Sequence, residues 1–490
     1  MHTFKRTIVI IAAVLLAAGC NFTDPDNLTF QKDIDVYTNL NKLTAVLTRV
    51  YDGLPDGYGD IGASWLAAAC DEAEEVNNQE GIQNFNVGNI SPYSNPDDVW
   101  NKMYQGIRFA HVFLQSTDSL DSWEAYKYSN PTEYARRTAL VAQYRAESKF
   151  LIAFFYFELV KRYGGVPLVK EAIAKDTEWT GQYPRRAFAS CIAYISELCD
   201  TAANNLPATY DAGNYGRATQ GAAMALKARA LLYAASDLYN QPGNADSLRG
   251  YTGGDRQQRW IDAAVANKAV MDLTPKYTFH ATYEALSLLG SALSKEVIFE
   301  RRYTASNTFE KQNTGIGFQG GLTGTCPSGN LADAYEHLDD GRFDWNNPAH
   351  TANPYNRRDP RMAKTIVVNN STFGKQKLPV ELWTGGVNGK PRDRASKTGY
   401  YLRKYINENL DLQLNETSTK QWIFMRLSEI SLNYAEAMNE AYGPNTTGPG
   451  TLNLTAIAAL NSVRTRAAVK LPAVSAADQA TLRSRIRNER

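Results

Sequence analysis

Four carboxylates stand close together at Asp71, Glu72, Glu74 and Glu75. Glycoside hydrolysis needs paired acids, one holding a proton for the leaving oxygen and the other acting as base or nucleophile, about 5 to 10 Å apart across the sugar. If the element that starts at Trp65 is helical, Asp71 and Glu75 share one of its faces; four acids in a row also describe an ordinary solvated face. Other chemistries find less support. Past the first residues the histidines are His111, His280, His337 and His350, dispersed and without H-E-x-x-H, and no G-x-S-x-G occurs, so zinc-protease and serine-hydrolase constellations are missing. Gly315-Ile316-Gly317-Phe318-Gln319-Gly320 fits G-x-G-x-x-G, but that fingerprint holds a pyrophosphate only when a strand leads directly in and a helix begins at the glycines. Here the strand-like run 296–303 ends well before it and more Gly and a Pro follow, which describes a loop. Asp339, Asp340, Gly341, Asp344 and Asn346 cluster oxygen ligands on a turn and are the one place where calcium could sit; a polar loop is the alternative. No other cofactor is implied. Cys70, Cys191, Cys199 and Cys326 lack C-x-x-C spacing, and Cys191 and Cys199 lie about 12 Å apart along a helix, so neither a zinc site nor a disulfide scaffold follows.

Binding is better supported than catalysis. The chain has 28 tyrosines and 8 tryptophans, more than a helical core requires. Tyr58, Phe85, Tyr93, Phe318 and Trp383 fall in Gly- and Asn-rich stretches, where a core role is less expected than for Phe154. Sugars present apolar C–H faces to aromatic rings and leave hydroxyls for nearby Asp, Asn or Arg, so these five rings are candidate glycan contacts. Peptide backbones could use the same loops. A formal charge of +1 with acids and bases evenly spread excludes a nucleic-acid surface.

The frame for such loops reads as helices. Residues 131–163 carry both helix ends: Asn130 can cap, Pro131 suits the first position, Glu133 can reach back to the cap, Lys161 and Arg162 suit the negative end of the dipole, Gly164 and Gly165 can take positive φ, and Pro167 forbids continuation. Within it, residues 150–157 are unbroken apolar and aromatic, far short of the roughly 20 residues of a bilayer span. Other helices must therefore cover this one. Helical spacing also marks 33–52, a helix after 96–98, 184–206, 217–239, 258–272, 422–440 and 454–468. Residues 296–303 (EVIFERRY) are the convincing strand. From 304 to 420 periodicity fades, and so long an irregular stretch in a compact protein is usually functional.

At the front, Lys5 and Arg6 precede an apolar run and Ala17-Ala18-Gly19-Cys20. This is a secretory leader, 1–19, whose end resembles a bacterial lipobox with Ala17 where Leu is usual. Cys20 is expected to be lipidated, on a tether covering 20–32, and that lipid is expected to be the only membrane anchor.

Landmarks in order then resemble one family. Glu147, Lys149, Phe150 and Leu151, the aromatic run, and 163–169 (YGGVPLV) come first. The strand 296–303 and short blocks at 331–336, 357–362 and 399–405 follow. Arg426, Glu429, 434–437, Asn461, Val463, Arg464 and Arg466 close the series, and 486–490 begin a further block. Together these are similar to the SusD/RagB family of outer-membrane nutrient-binding lipoproteins. The resemblance implies a mainly α fold of tetratricopeptide-like helix pairs (halves about 33–240 and 258–490) with a loop-rich insertion and few short strands. It also implies a chain continuing past Arg490 into an apolar helix, and surface export signalled by Asp24 and Asp26 behind Cys20. The function it implies is non-enzymatic: binding oligosaccharide at the cell exterior and delivering it to a SusC-like TonB-dependent outer-membrane transporter. Asp71 becomes a ligand hydrogen-bonder, because the family often has an acid there. Starch itself is disfavoured, since no tryptophan lies between Asp71 and Trp100. The alternatives are a peptide-binding RagB-like member and a secreted glycosidase.

Overall fold

The computed structural model describes residues 37, 39–62, 64–78, 81–118, 123–173, 181–288, 290, 293–318 and 320–490. The leader, Cys20 and the tether lie outside the described residues. Helix α1 (Leu40–Tyr51) starts at Asn39, whose side chain accepts the N–H groups of Asn41 and Lys42. Then come a short strand β1 (Ala73–Glu75), helix α2 (Trp100–Ser116) and the long helix α3 (Pro131–Tyr163). Helices α4 (Phe188–Ala203), α5 (Gln220–Ala235) and α6 (Arg256–Met271) complete the first part. Strands β2 (Val297–Ser306) and β3 (Thr325–Pro327), a short helix α7 (Gly329–Ala334) and strand β4 (Ser418–Arg426) belong to the middle of the chain. Helices α8 (Leu427–Tyr442), α9 (Ala456–Arg464) and α10 (Gln479–Glu489) close it.

The fold is mainly helical, as the sequence implies. Helix α2 packs on α3, α3 on α4, α4 on α5, α5 on α6, α6 on α8, and α8 on α9 and α10. Close packing follows from small residues: Ala222, Ala223, Ala225, Ala228 and Ala230 on α5 are all fully buried, so neighbouring backbones approach without voids. At the centre of the stack, residues 150–160 of α3 are buried on every side. Phe154 sits 6.0 Å from Phe299 of β2 and 5.3 Å from Phe424 of β4, ring centre to ring centre. The aromatic run thus joins the helices to the β2–β4 ribbon.

The ends of α3 fall where expected, with two differences in detail. Asn130 accepts the Glu133 N–H at 3.1 Å, but the Glu133 carboxylate takes Arg136 and Arg137 instead of the cap. Gly164 has φ 69°, whereas Gly165 does not take positive φ. Its missing side chain matters for another reason, because a Cβ there would stand 2.0 Å from the Arg186 carbonyl oxygen.

Two elements differ from the sequence reading. Residues 65–75 are not a helix: one 3₁₀ turn (Leu66–Ala69) gives way at Cys70 to extended backbone, and β1 pairs antiparallel with β3, Ala73 opposite Pro327 and Glu75 opposite Thr325. Asp71 and Glu75 therefore share no helical face. Residues 422–426 are the end of β4, antiparallel to β2 with Arg301 opposite Trp422, and the helix starts only at Leu427. A short apolar run carries both periods equally well, and here its partner strand decides. Between β2 and β4 the described residues form turns, short helices, β3 and two-residue strand pairs. They close over their own small core of Tyr58, Phe309, Phe318, Phe373, Tyr401 and Tyr405.

Candidate functional site

The 328–400 region presents exposed aromatic rings held by fixed polar partners. Ser328 caps α7, accepting the Leu331 N–H at 3.1 Å, and ties that helix to β1 by donating its hydroxyl to the Asp71 carbonyl. At the far end of α7, both oxygens of Asp333 accept the indole N–H of Trp345, at 3.0 and 2.9 Å. Trp345 is 51 % exposed even so. Phe343 meets it edge-on at 4.9 Å, and the buried Arg358 guanidinium lies 3.9 Å from the Phe343 ring centre.

Arg358 is the hub of this corner. It donates to the carbonyls of Ala332, Tyr335 and Pro354 and to no carboxylate. Burial holds it below the usual arginine range, while Asp333, Tyr400 and Tyr355 act on it in the opposite sense. Tyr355, itself exposed, packs edge-on against Tyr400 at 6.2 Å. Burial, and then the hydrogen bond with Tyr355, push the Tyr400 hydroxyl well above the usual tyrosine range. The result is an open face with two solvent-reaching rings, Trp345 and Tyr355, whose orientation is set before any ligand arrives.

The residues picked from the sequence are spread more widely. Asp71 is exposed, and its backbone is the one that Ser328 holds, so it borders this face. Tyr93 is fully exposed on a separate loop and Trp383 is 48 % exposed on another. Phe85 is half-buried against Ile61, Ala68 and Ile82. Tyr58 and Phe318 are inside the protein. Tyr58 is 4.7 Å from Phe309 and 5.3 Å from Trp422, and its hydroxyl donates to the Gln421 carbonyl at 2.8 Å. Phe318 packs 4.9 Å from Phe373. Their Gly-rich surroundings suggest surface positions for both, but these loops fold over a core of their own. Trp345, Tyr355 and Asp333 went unpicked as contacts. The usable signal was Trp345 between Asp344 and Asn346-Asn347-Pro348, an aromatic with polar turn residues on both sides.

The carboxylates do not form a hydrolytic pair. Glu75 is buried and accepts from Ser64 Oγ at 3.0 Å and the Asn77 N–H at 3.1 Å. Glu74 takes Lys397 at 3.1 Å, with Gln83 and Asn86. The oxygen cluster proposed for calcium is likewise spent internally. Asp339 holds the Arg357 guanidinium, Asp344 Oδ1 accepts the Asn346 N–H at 2.8 Å, and Asp340 Oδ2 takes His350 Nε2 at 2.6 Å. His337, Asp340 and His350 do offer ligand atoms within 4.8 Å of one another. His350 Nδ1, however, accepts the Asp344 N–H at 3.1 Å, which fixes the proton on Nε2, the nitrogen facing Asp340. The group is a hydrogen-bonded corner, and a calcium cage of six to eight oxygens does not form.

A cavity of about 470 Å3 lies behind α7 and reaches Arg490. Its arginines already hold carboxylates: Arg361 with Asp359 at 2.6 Å, Arg464 with Glu336 at 2.7 Å and Arg466 with Glu296 at 3.0 Å. Tyr283 lines it too; burial alone would raise its hydroxyl, but Lys404, Arg426 and Arg361 bring it down to about 8. So charged an interior suits a neutral oligomer less well than the Trp345 face.

The stack is mainly helical, and its loops hold exposed aromatic rings beside fixed polar partners. Residues 23–232 match the family model described as starch-binding, associating with outer membrane, and residues 295–490 match the model of the SusD family, SusD_RagB. The chain belongs to the SusD/RagB family. A SusD-like protein from Bacteroides fragilis is 24 % identical, with 94 % of this chain and 85 % of that one covered and a TM-score of 0.71. A SusD-like carbohydrate-binding protein from the same organism is 23 % identical, covering 93 % and 83 %, with a TM-score of 0.70. The surface glycan-binding protein A of Bacteroides uniformis is 17 % identical over 91 % and 85 %, with a TM-score of 0.62. No curated protein matches.

Proposed function

We propose that this protein binds an oligosaccharide at the exterior of the outer membrane, anchored through lipid on Cys20, and passes it to a SusC-like TonB-dependent transporter without chemically changing it. The observation that carries the ligand class is the exposed Trp345 ring whose N–H is gripped by both oxygens of Asp333. Such a ring offers a flat apolar face at little further entropic cost, and sugars stack on faces of that kind. Family membership supports the same reading, as do the glycan-binding neighbours in structure. Trp345 and Tyr355 are the central contacts and Asp71 supplies a hydrogen bond at the edge, while Trp383 and Tyr93, exposed on separate loops, are further candidate contacts.

The test is calorimetry of the purified protein against a panel of soluble polysaccharides and oligosaccharides, and against mixed peptides. Binding of one glycan class in the micromolar to millimolar range, about 4 to 8 kcal/mol, without turnover is the expected result. Protection by peptides with no glycan binding would replace the ligand class with peptide. Turnover abolished by changing Asp71 or Glu75 would make the protein a glycosidase.

A further inference from the structure

Three short stretches carry the residues of the Trp345 face, and one buried side chain reaches all of them. Asp333, whose carboxylate takes the Trp345 indole, stands near the end of α7. Trp345 lies two residues past Phe343, and Tyr355 directly follows Pro354. Arg358 is only 6 % exposed. Its Nη2 donates to the carbonyls of Ala332 and, at 2.8 Å, Tyr335; its Nε donates to Tyr335 at 3.1 Å, and its Nη1 to Pro354 at 2.8 Å. The guanidinium carbon also lies 3.9 Å from the Phe343 ring centre, and that ring meets Trp345 at 4.9 Å.

The choice of carbonyls matters. A peptide group is rigid and planar, so a bond to the Ala332 oxygen also fixes the nitrogen of Asp333, and a bond to the Pro354 oxygen fixes that of Tyr355. One guanidinium thereby holds the backbone at both side chains, and through Phe343 it backs the Trp345 ring as well. Lysine could not do this. An ammonium group has no plane to lay on a ring and no fork to span two stretches of backbone. Rings held in one frame before binding let a chain that touches the first meet the second at little further entropic cost.

We propose that Arg358 is a positioning residue that holds Trp345 and Tyr355 in one frame, so that a single glycan chain stacks on both rings together; this rests on the reading of that face as the glycan site. Arg358→Lys keeps the charge and loses the fork. Calorimetry with the panel oligosaccharide that binds wild type most tightly should show binding weakened about tenfold. The loss on adding Tyr355→Ala, several-fold in the wild-type background, should shrink to about twofold or less, because rings that move independently no longer share one chain. A residue that only stabilised the fold would lower the melting midpoint and leave that loss unchanged. A second arm needs no glycan: acrylamide quenching of Trp345, taken as the difference from the matching Trp345→Phe protein, should rise in Arg358→Lys. If wild type binds no glycan, the proposed function fails, while the quenching still decides whether Arg358 holds the ring. Where Arg358→Lys does not fold, Phe343→Leu, which removes the plate between the guanidinium and Trp345, takes its place with the same expectations. An undiminished Tyr355→Ala loss, or unchanged quenching of Trp345, overturns the proposal.

Discussion

Trp345 touches few neighbours apart from Phe343 and the Asp333 carboxylate, so removing it should cost binding and little else. Trp345→Ala is expected to lower affinity for the bound glycan at least tenfold, about 1.4 kcal/mol or more, with the melting midpoint within a degree or two of wild type. Calorimetry and a melting curve on the same sample check both halves. Asp333→Asn keeps the shape but replaces one accepting oxygen with an amide, loosening the indole; a smaller loss, several-fold, should follow. An intact affinity in Trp345→Ala would move the ligand to Trp383 or Tyr93. At this scale the sequence was only partly legible. Asp71 could be picked, and the 331–336 and 357–362 blocks stood out by resemblance. Exposure of a ring could not be read, because Tyr58 and Trp345 both sit in turn-rich surroundings. What separates them is packing from distant segments, Gln421 and Trp422 against Tyr58, with nothing equivalent over the outer face of Trp345.

Elements were more legible where their signals were local. Helix α3 carries its cap, its first-turn proline and its positive-φ glycine within a few residues of each end, and the boundaries could be set from these alone. The aromatic run inside it was read as core, and each ring proves buried. Phe154→Asp puts an unpaired carboxylate where the Phe154 ring packs against Phe424 and Phe299. The penalty is several kcal/mol against a total stability of about 5 to 15, so this variant should be unfolded or aggregated by circular dichroism, while Phe154→Leu should fold with a lowered midpoint. A normal melting curve for Phe154→Asp would mean that the run is not the keystone of the stack. The elements misread, β1 and the end of β4, are those whose conformation depends on a partner far along the chain. Residues 422–426 could equally extend the helix that follows, and it is pairing with 297–301 that makes them a strand.

Across the whole molecule, carboxylates set beside arginines join segments far apart in the chain, and they set how stability depends on pH. Burial would raise Glu296, but Arg466 and Arg426, helped by Ser428 and the His280 N–H, hold it below the usual carboxylate range. Burial likewise opposes, and Arg229 overcomes, the shift at Glu429. A folded-state value below the unfolded one, about 4.3, means that the stabilisation is complete above that pH and is lost as pH falls through the lower folded value. Glu296→Gln leaves Arg466 without its carboxylate partner and should cost about 3 to 5 kcal/mol at pH 7. It should also narrow the gap in melting midpoint between pH 7 and pH 3, and an unchanged gap would remove Glu296 from the account. Attachment to the membrane is proposed to rest elsewhere, on lipid at Cys20. No helix among the described residues is long and apolar enough to cross a membrane; the proposed hold is acyl chains on Cys20, each worth about 0.8 kcal/mol per buried methylene. Cys20→Ser expressed in a cell that processes lipoproteins should therefore move from the membrane pellet to the soluble fraction. A transporter that grips the protein could retain it without lipid. The fractionation is therefore repeated in a strain lacking the proposed transporter, where wild type should stay with the membrane and Cys20→Ser should be released. Retention of Cys20→Ser in that strain would show that something other than lipid holds this protein to the membrane.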